Sequence, residues 1–410
     1  MKTYLRRSIE PLVTRLLDEV PALLFVGPRA TGKTTTASRY ARTVVSLDKP
    51  AEAAAFEADP DVALSGLQEP VLIDEWQAVP GVLGALKRSI DADPAPGRYL
   101  VTGSVRADLE AETWPGTGRL LRLSLLPMTI AEQHGHPDVI PLLDRLSRGV
   151  ELEPAKETPD LRGYLELALK GGFPEAALTL SAPIRQRWLE SYIDQVLTRD
   201  AELIEKGRDP GRLGRYFQAC VLNTAGVPEH KSLYDAAGIN RKTAVAYDRL
   251  LENLMITTRL QAWSTNRLKR LTRSPKRYLI DGSLLAGTLH LDAAALLRDG
   301  DLMGRVLDTF VAAQLRAEHT VSESRPRLYH LREQNGLHEV DIIGELGTDK
   351  VIAIEVKAAS APEKKDARHL SWLKNKFGDR FVSGVLLHTG PRSFRLEDRI
   401  TAAPISTLWA

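Results

Sequence analysis

The sequence predicts a multidomain α/β protein: a parallel α/β domain built on a phosphate loop, then a helical lid, a winged helix-turn-helix and a C-terminal α/β domain. Three observations carry this. Gly27, Gly32, Lys33 and Thr34 spell G-x-x-x-x-G-K-T directly behind the apolar run Leu23–Val26. Short apolar runs alternate with helical patterns from residue 22 to about 127, which is the signature of a parallel sheet covered on both faces. Three strand-like segments between residues 329 and 357 close on Ile-Glu-Val-Lys. The expected domains are 1–148, 149–222, 223–290 and 291–410.

The phosphate loop comes first because it carries the most chemistry. The bare pattern arises by chance in about one chain of this length in a hundred, and the strand before it makes chance rarer still. Gly27, Pro28, Arg29, Ala30, Thr31, Gly32, Lys33, Thr34 and Thr35 are expected to wrap a nucleoside triphosphate, ATP above all, with a helix starting near Lys33. Two glycines let the backbone turn and approach an anion closely. Lys33 would reach the β- and γ-phosphates, and the Thr34 hydroxyl would bind Mg2+. Further strands are expected at Val44–Leu47, Val71–Ile73, Tyr99–Thr102 and Leu120–Leu123. The third run, Val71-Leu-Ile-Asp-Glu, delivers Asp74 to Mg2+ and Glu75 to the attacking water at the carboxyl edge of a strand, where ligands collect in open α/β sheets. Thr102 or Ser104 is expected to sense the γ-phosphate or hold the attacking water, and for Ser104 the alternative is a helix cap or turn residue.

Composition sets the frame. The chain has 410 residues, is 43% hydrophobic and carries a formal charge of +2, enough for two to four domains with real cores. One cysteine, Cys220, excludes an internal disulfide and fits a reducing, cytoplasmic setting. The nine histidines show no zinc-type spacing. Residues 1–20 are charged and amphipathic, and no run approaches the roughly 20 apolar residues that span a bilayer, so no membrane partner is expected.

Beyond Pro127 the character changes. Gly149 to Pro159 reads as a linker, and residues 161–204 are helical, interrupted at Gly171-Gly-Phe-Pro. Ser232–Ala237, a turn at Gly238, and Arg241–Asn253 have helix-turn-helix spacing, with Leu233, Ala237, Ile239, Val245, Leu250 and Leu254 as the apolar set. Residues 256–277 read as a β-hairpin with a basic wing. Between 229 and 277 there are eleven Lys and Arg against four Asp and Glu, the footprint of a polyanion partner. Arg241, Lys242, Arg267, Lys269, Arg270 and Arg273 are the expected phosphate contacts of a nucleic acid; the alternative is a protein-contact surface.

The third constellation lies near the C-terminus. Strand alternation puts Glu355 and Lys357 on one face, with Ile352, Ile354 and Val356 on the other. If Asp341 lies beside them, Asp341 and Glu355 hold a Mg2+ or Mn2+ ion while Lys357 orients or helps deprotonate a water, and Asp308 from the preceding helical run adds a third carboxylate. E-x-K alone is commonplace cross-strand pairing.

Together these motifs resemble the prokaryotic ATP-binding proteins that join an AAA-type P-loop ATPase to a C-terminal domain of unknown function with a restriction-endonuclease-like PD-(D/E)xK core. The likeness rests on Gly-Pro-Arg-Ala-Thr-Gly-Lys-Thr (27–34), Leu-Ile-Asp-Glu-Trp-Gln (72–77), Thr-Gly-Ser (102–104) and Gly118-Arg119 followed by Leu-Pro-Met-Thr-Ile-Ala-Glu (126–132). It continues through Gly-Gly-Phe-Pro-Glu (171–175), Thr-Arg-Asp (198–200), Ser-Pro-Lys-Arg-Tyr-Leu-Ile-Asp (274–281), Glu-Val-Asp (339–341) and Ile-Glu-Val-Lys (354–357). The resemblance implies that Lys33, Thr34, Asp74, Glu75 and Ser104 serve the nucleotide. It implies for Arg119 an arginine-finger role, with a structural pairing to Glu132 as the alternative. A homo-oligomer is suggested by analogy only. Ala30-Thr31 replaces the more usual Gln-Ser of the loop, and Asp308 stands where Glu is usual. The function so expected is Mg2+-dependent ATP hydrolysis that moves the lid and winged helix against a nuclease-like domain acting on or sensing DNA or RNA. The rival is an ATP-dependent switch or protein-interaction regulator with an inactive nuclease-like domain.

Overall fold

The computed structural model describes residues 4–103, 117–204, 207–333 and 336–410. It divides into two compact units, one of residues 1–127 with 253–255 and one of residues 128–252 with 256–410.

The first unit is built on five strands, β1 (Ala22–Val26), β2 (Thr43–Ser46), β3 (Val71–Asp74), β4 (Tyr99–Gly103) and β5 (Leu120–Ser124), in the order β2-β3-β4-β1-β5. Every pairing is parallel. The central strands β1, β3 and β4 are buried along their length, which is why they read as unbroken apolar runs rather than as alternation. Helix Val82–Ala92 lays Val82, Leu83, Leu86 and Ile90 on one face of this sheet. Parallel register brings the carboxyl ends of β1, β3 and β4 to one edge, with Val26 level with Gly103 and Ser124.

The second unit begins at Met128. Helix Ile130–Gln133 is closed by a capping box between Thr129 and Glu132, and the Ile130 N–H donates to Gln314. The Leu142 N–H donates to Glu318, and Asp144 accepts from Ser322 and Ser324. These bonds fasten residues 128–148 to the long helix Gly300–Val321, a connection that no local pattern announces. The helices expected as a lid of the ATPase domain likewise belong to this unit, where the Gly172 N–H donates to Asp281.

Helices His230–Ala236 and Arg241–Asn253 flank the turn at Gly238, as their spacing predicts. Leu233, Ala237, Leu250 and Leu254 are buried, but Val245 is 53% exposed and Ala244 takes its place in the core. Strands β6 (Thr257–Leu260) and β7 (Lys276–Leu279) then pair antiparallel. Their connection is not the open basic loop of a simple hairpin. It holds helix Arg267–Thr272, capped by Asn266, whose side chain accepts from the Leu268 and Lys269 N–H groups.

The C-terminal sheet contains β8 (Arg327–Glu333), β9 (His338–Leu346), β10 (Lys350–Val356), β11 (Phe381–His388), β12 (Phe394–Glu397) and β13 (Ile400–Pro404) in the order β12-β13-β11-β10-β9-β8. It is mixed: β10 pairs parallel to β11 and antiparallel to β9. Helix Arg368–Phe377 buries Leu370, Leu373 and Phe377 against Val351 and Ala353 of β10, about 1.5–3 kcal/mol for each large side chain. Glu355 continues the row of Val351 and Ala353, so a carboxylate follows two apolar residues on the same face.

Candidate functional site

Two polar centres stand out, one in each unit. In the first, Gly27 follows β1 where no side chain fits: a Cβ would lie 2.1 Å from the Leu125 carbonyl oxygen. Gly32 has φ 88°, a conformation that only glycine adopts without strain, and it caps a short helix, Lys33–Ala37. Between them the Lys33 ammonium donates to the Gly27 carbonyl at 3.0 Å and the Pro28 carbonyl at 2.8 Å, and burial lowers it from the ordinary lysine value to about 8.

Asp74 ends β3 beside this loop. Its carboxylate accepts from the Thr34 hydroxyl at 2.7 Å and from the Thr102 hydroxyl at the end of β4. The next residue, Glu75, sits in the left-handed region at φ 54°, and the Gln77 amide donates to its carboxylate. A non-glycine residue held there costs of order 1–3 kcal/mol, and such strain gathers at working sites. So Lys33, Thr34, Asp74, Glu75 and Thr102 meet at one sheet edge, although they come from three segments of the chain. Ser104 lies outside the described residues.

Arg119 is elsewhere. It precedes Leu120, whose register partner is Ala22, the first residue of β1. It therefore stands at the amino edge of the sheet, and five strand residues, roughly 17 Å, separate it from the phosphate loop. It pairs with Asp91 at 2.9 Å, while Glu132 closes the capping box described above. The ion pair that Arg119 makes is thus with Asp91, and its place at the amino edge is far from the phosphate loop of its own chain.

Sequence reasoning passed over Arg7. Its buried guanidinium donates to the Thr31 carbonyl within the loop at 2.9 Å and to the Leu126 carbonyl at 2.8 Å. Nothing in the amphipathic stretch of residues 1–20 marked it out.

The second centre is a polar cavity of about 570 Å³ lined by Lys276, Asp308, Asp341, Glu355, Lys357 and Arg368 among others. Asp341 lies one step past the Ile342–Ile354 pair of the β9–β10 ladder, so it faces Glu355 across the strands. Its Oδ2 accepts the Val356 N–H at 2.9 Å. The expected three-carboxylate metal set does not form. The Lys276 ammonium stands between Asp308 and Asp341, at 2.5 and 2.8 Å, and among the described residues no group of three or more His, Cys, Asp or Glu is arranged to hold an ion. Burial pushes Asp308 up to about 7 against the pull of Lys276. Asp341, part-buried, is held below the ordinary aspartate value by the Lys276 ammonium against the desolvation of its site. Glu355 is 1% exposed, neither of its oxygens receives a hydrogen bond from a described residue, and burial followed by the nearby Asp341 pushes it up to about 8. Lys276 sits in the Ser-Pro-Lys-Arg motif; a lysine placed to enter a strand of a buried sheet was the available signal.

The basic stretch divides in two. Arg241 and Lys242 open their helix exposed, and Arg267 and Lys269 are exposed on the connecting helix. Arg270 is a correction: it is 8% exposed, makes a two-pronged bond to Glu345 at 2.9 and 3.0 Å, and lies over the rings of Trp263 and Tyr329. A guanidinium so enclosed cannot meet a phosphate backbone. Arg277 is committed to Asp248 at 2.6 and 2.7 Å, and Arg273 lies within 4.0 Å of Glu333. The buried pairs Arg270–Glu345 and Lys276–Asp341 also tie the helix-turn-helix region to the C-terminal sheet, so motion of one against the other, as expected from the sequence, would break both.

Comparison with known proteins matches residues 19–134 to the family described as AAA domain. Residues 161–295 and 303–408 match two families described as domains of unknown function, DUF8612 and DUF4143. Uncharacterized proteins of Mycobacterium bovis (Mb2031c) and Mycobacterium tuberculosis (Rv2008c) are each 27% identical over 416 residues, covering 97% of this chain and 83% of theirs. Among solved structures, the Walker-type ATPase PABY2304 of Pyrococcus abyssi aligns with a TM-score of 0.42 at 14% identity, over 70% of this chain and 96% of that one. A RuvB mutant of Thermotoga maritima aligns with a TM-score of 0.30 at 18% identity, over 61% and 88%. Likenesses this loose say nothing of ligand or substrate. The loop, the parallel sheet and its carboxyl-edge acids all lie within the residues 19–134 that match the AAA domain.

Proposed function

We propose that the protein is a Mg2+-dependent ATPase whose second unit contacts nucleic acid and carries a carboxylate centre for a divalent cation. The observation that carries the first part is the 2.7 Å bond between the Thr34 hydroxyl and Asp74, two oxygen donors of the kind Mg2+ takes, set beside a glycine-bounded loop. Thr34 and Asp74 would hold the ion, which supplies charge neutralisation at the β- and γ-phosphates. The backbone N–H groups of Gly27 and residues 29–35 cradle the phosphates, and Lys33 exchanges its two carbonyl partners for phosphate oxygens. Glu75 orients the attacking water and accepts its proton, with Gln77 holding the carboxylate in place. Calorimetry with ATP should show saturable uptake, and Lys33→Ala should slow hydrolysis by on the order of 10²–10³. A Lys33→Ala chain that turns over ATP as fast as the parent would overturn the reading.

Nucleic-acid contact is supported by the exposure of Arg241, Lys242, Arg267 and Lys269. Two cations in the first turn of a helix work against its dipole, which is more easily understood if they serve a polyanion. Gel shifts at two salt concentrations test it: Arg241→Ala with Lys242→Ala should weaken binding and flatten its salt dependence.

For the C-terminal centre, Glu355, without a hydrogen-bond donor among the described residues and facing Asp341, favours a bound cation, and Lys357 would orient a water on it. The position of Lys276 favours a second reading, an ATP-dependent switch whose C-terminal centre does not cleave. A nuclease assay with Mg2+ or Mn2+ on DNA and RNA, comparing the parent with Asp341→Ala and Lys357→Ala, separates the two.

A further inference from the structure

The three carboxylates of the second centre are not equivalent. Both oxygens of Asp308 are satisfied, Oδ2 by the Lys276 ammonium at 2.5 Å and Oδ1 by the Tyr278 hydroxyl at 3.0 Å. Asp341 shares the ammonium through Oδ1 at 2.8 Å and takes the Val356 N–H on Oδ2. Glu355, buried in the same cavity, has both oxygens without a donor among the described residues. Strand register sets it opposite Asp341, where two like charges repel unless something positive joins them.

We propose that Lys276 is a resident cation of this centre: it fills the place between Asp308 and Asp341, so that the centre takes one divalent ion, held by Glu355 and Asp341, and excludes a second. The proposal rests on the reading of these residues as a cation centre given above. Two-ion sites set their ions about 3.5–4 Å apart around a shared carboxylate. Among the described residues Asp341 is the only candidate for the shared group, and the second place is already taken by an ammonium 2% exposed to solvent. Lys276 cannot swing away without leaving Asp308 and Asp341 with no ion-pair partner, and a strongly hydrated second ion would have to shed water to take its place. Asp308 is then no ligand; it positions Lys276, and Tyr278 positions Asp308.

The experiment counts Mn2+ by titration followed by electron paramagnetic resonance, in chains carrying Asp74→Asn so that the phosphate-loop carboxylate does not contribute. With Lys276 present, one bound ion is expected. Asp308→Asn should leave that one ion in place, whereas Glu355→Gln should lose it. Lys276→Met should admit a second ion; if that chain fails to fold by circular dichroism, the contrast between Asp308→Asn and Glu355→Gln decides alone. Two ions in the presence of Lys276, or loss of the ion in Asp308→Asn, would overturn the proposal while leaving a cation centre standing. No bound Mn2+ with all three carboxylates intact would remove the cation reading and the proposal with it.

Discussion

Asp74 and Asp308 are equally buried, each 8% exposed, yet they are satisfied in opposite ways. Asp74 accepts from two hydroxyls, Thr34 and Thr102, neutral donors that leave its negative charge available to a cation. Asp308 accepts from an ammonium and a phenol, and the ammonium cancels the charge outright. A carboxylate held by hydroxyls alone is kept ready for a ligand, whereas Asp308, with one oxygen on an ammonium and the other on a phenol, is already occupied. The difference teaches that acidic residues in a motif do not by themselves define a metal site; their donors do.

The largest expected effect follows from the occupied side of this contrast. Lys276→Met strands the carboxylates of Asp308 and Asp341 and should destabilise the second unit by about 3–5 kcal/mol, read from urea unfolding. Adding Asp308→Asn and Asp341→Asn, which remove the stranded charges, should recover a good part of that loss. If Lys276→Met unfolds no more easily than the parent, the ammonium is not neutralising the centre and the contrast with Asp74 dissolves.

On the open side, Lys33→Ala should lower kcat by on the order of 10²–10³, since it removes a cation aimed at charge that builds in the transition state. Folding should be little affected, because the partners Lys33 gives up are two backbone carbonyls that water can reach once the side chain is gone. A melting curve and a single-turnover assay on one preparation separate the two effects.

The two centres also differ in how far they could be read from the sequence. The phosphate loop is contiguous, its chemistry is largely backbone, and the five strands around it were placed to within about a residue because buried parallel strands read as plain apolar runs. The alternation along β10 likewise set Glu355 apart from Ile352 and Ile354. What could not be read is pairing across distance. Arg7 reaches a carbonyl 119 residues away, Lys276 pairs over 32 and 65 residues, and Arg270 over 75. A basic run looks the same whether its members face water or a buried glutamate, and Arg270 between exposed Lys269 and Leu271 shows that neighbours do not tell.

That ambiguity gives a sharper, smaller test within one helix. Arg270→Met should destabilise by about 1–3 kcal/mol, less than Lys276→Met because Glu345 keeps Arg327 at 3.3 Å. Lys269→Met should leave stability nearly unchanged and instead weaken nucleic-acid binding, measured by gel shift. Equal binding losses for the two variants would mean that Arg270 leaves Glu345 to reach the ligand.

The smallest effect concerns a buried carboxylate that has a hydrogen bond but no ion pair within bonding distance, intermediate between Asp74 and Asp308. Glu318 accepts the Leu142 N–H at 2.8 Å, and burial pushes it up from the ordinary glutamate value to about 8. Between pH 4.5 and 8 the folded chain therefore keeps a proton that the unfolded chain has released. Stability contributed by this group falls as pH rises through that window and is flat above it. Glu318→Gln keeps an oxygen for the Leu142 N–H and removes the titration. The melting temperature of the variant should match the parent near pH 4.5 and exceed it increasingly toward pH 8. A variant that falls below the parent as pH rises would show that Glu318 is ionised in the fold, neutralised through space by Arg145, and so belongs with Asp308 rather than with Asp74.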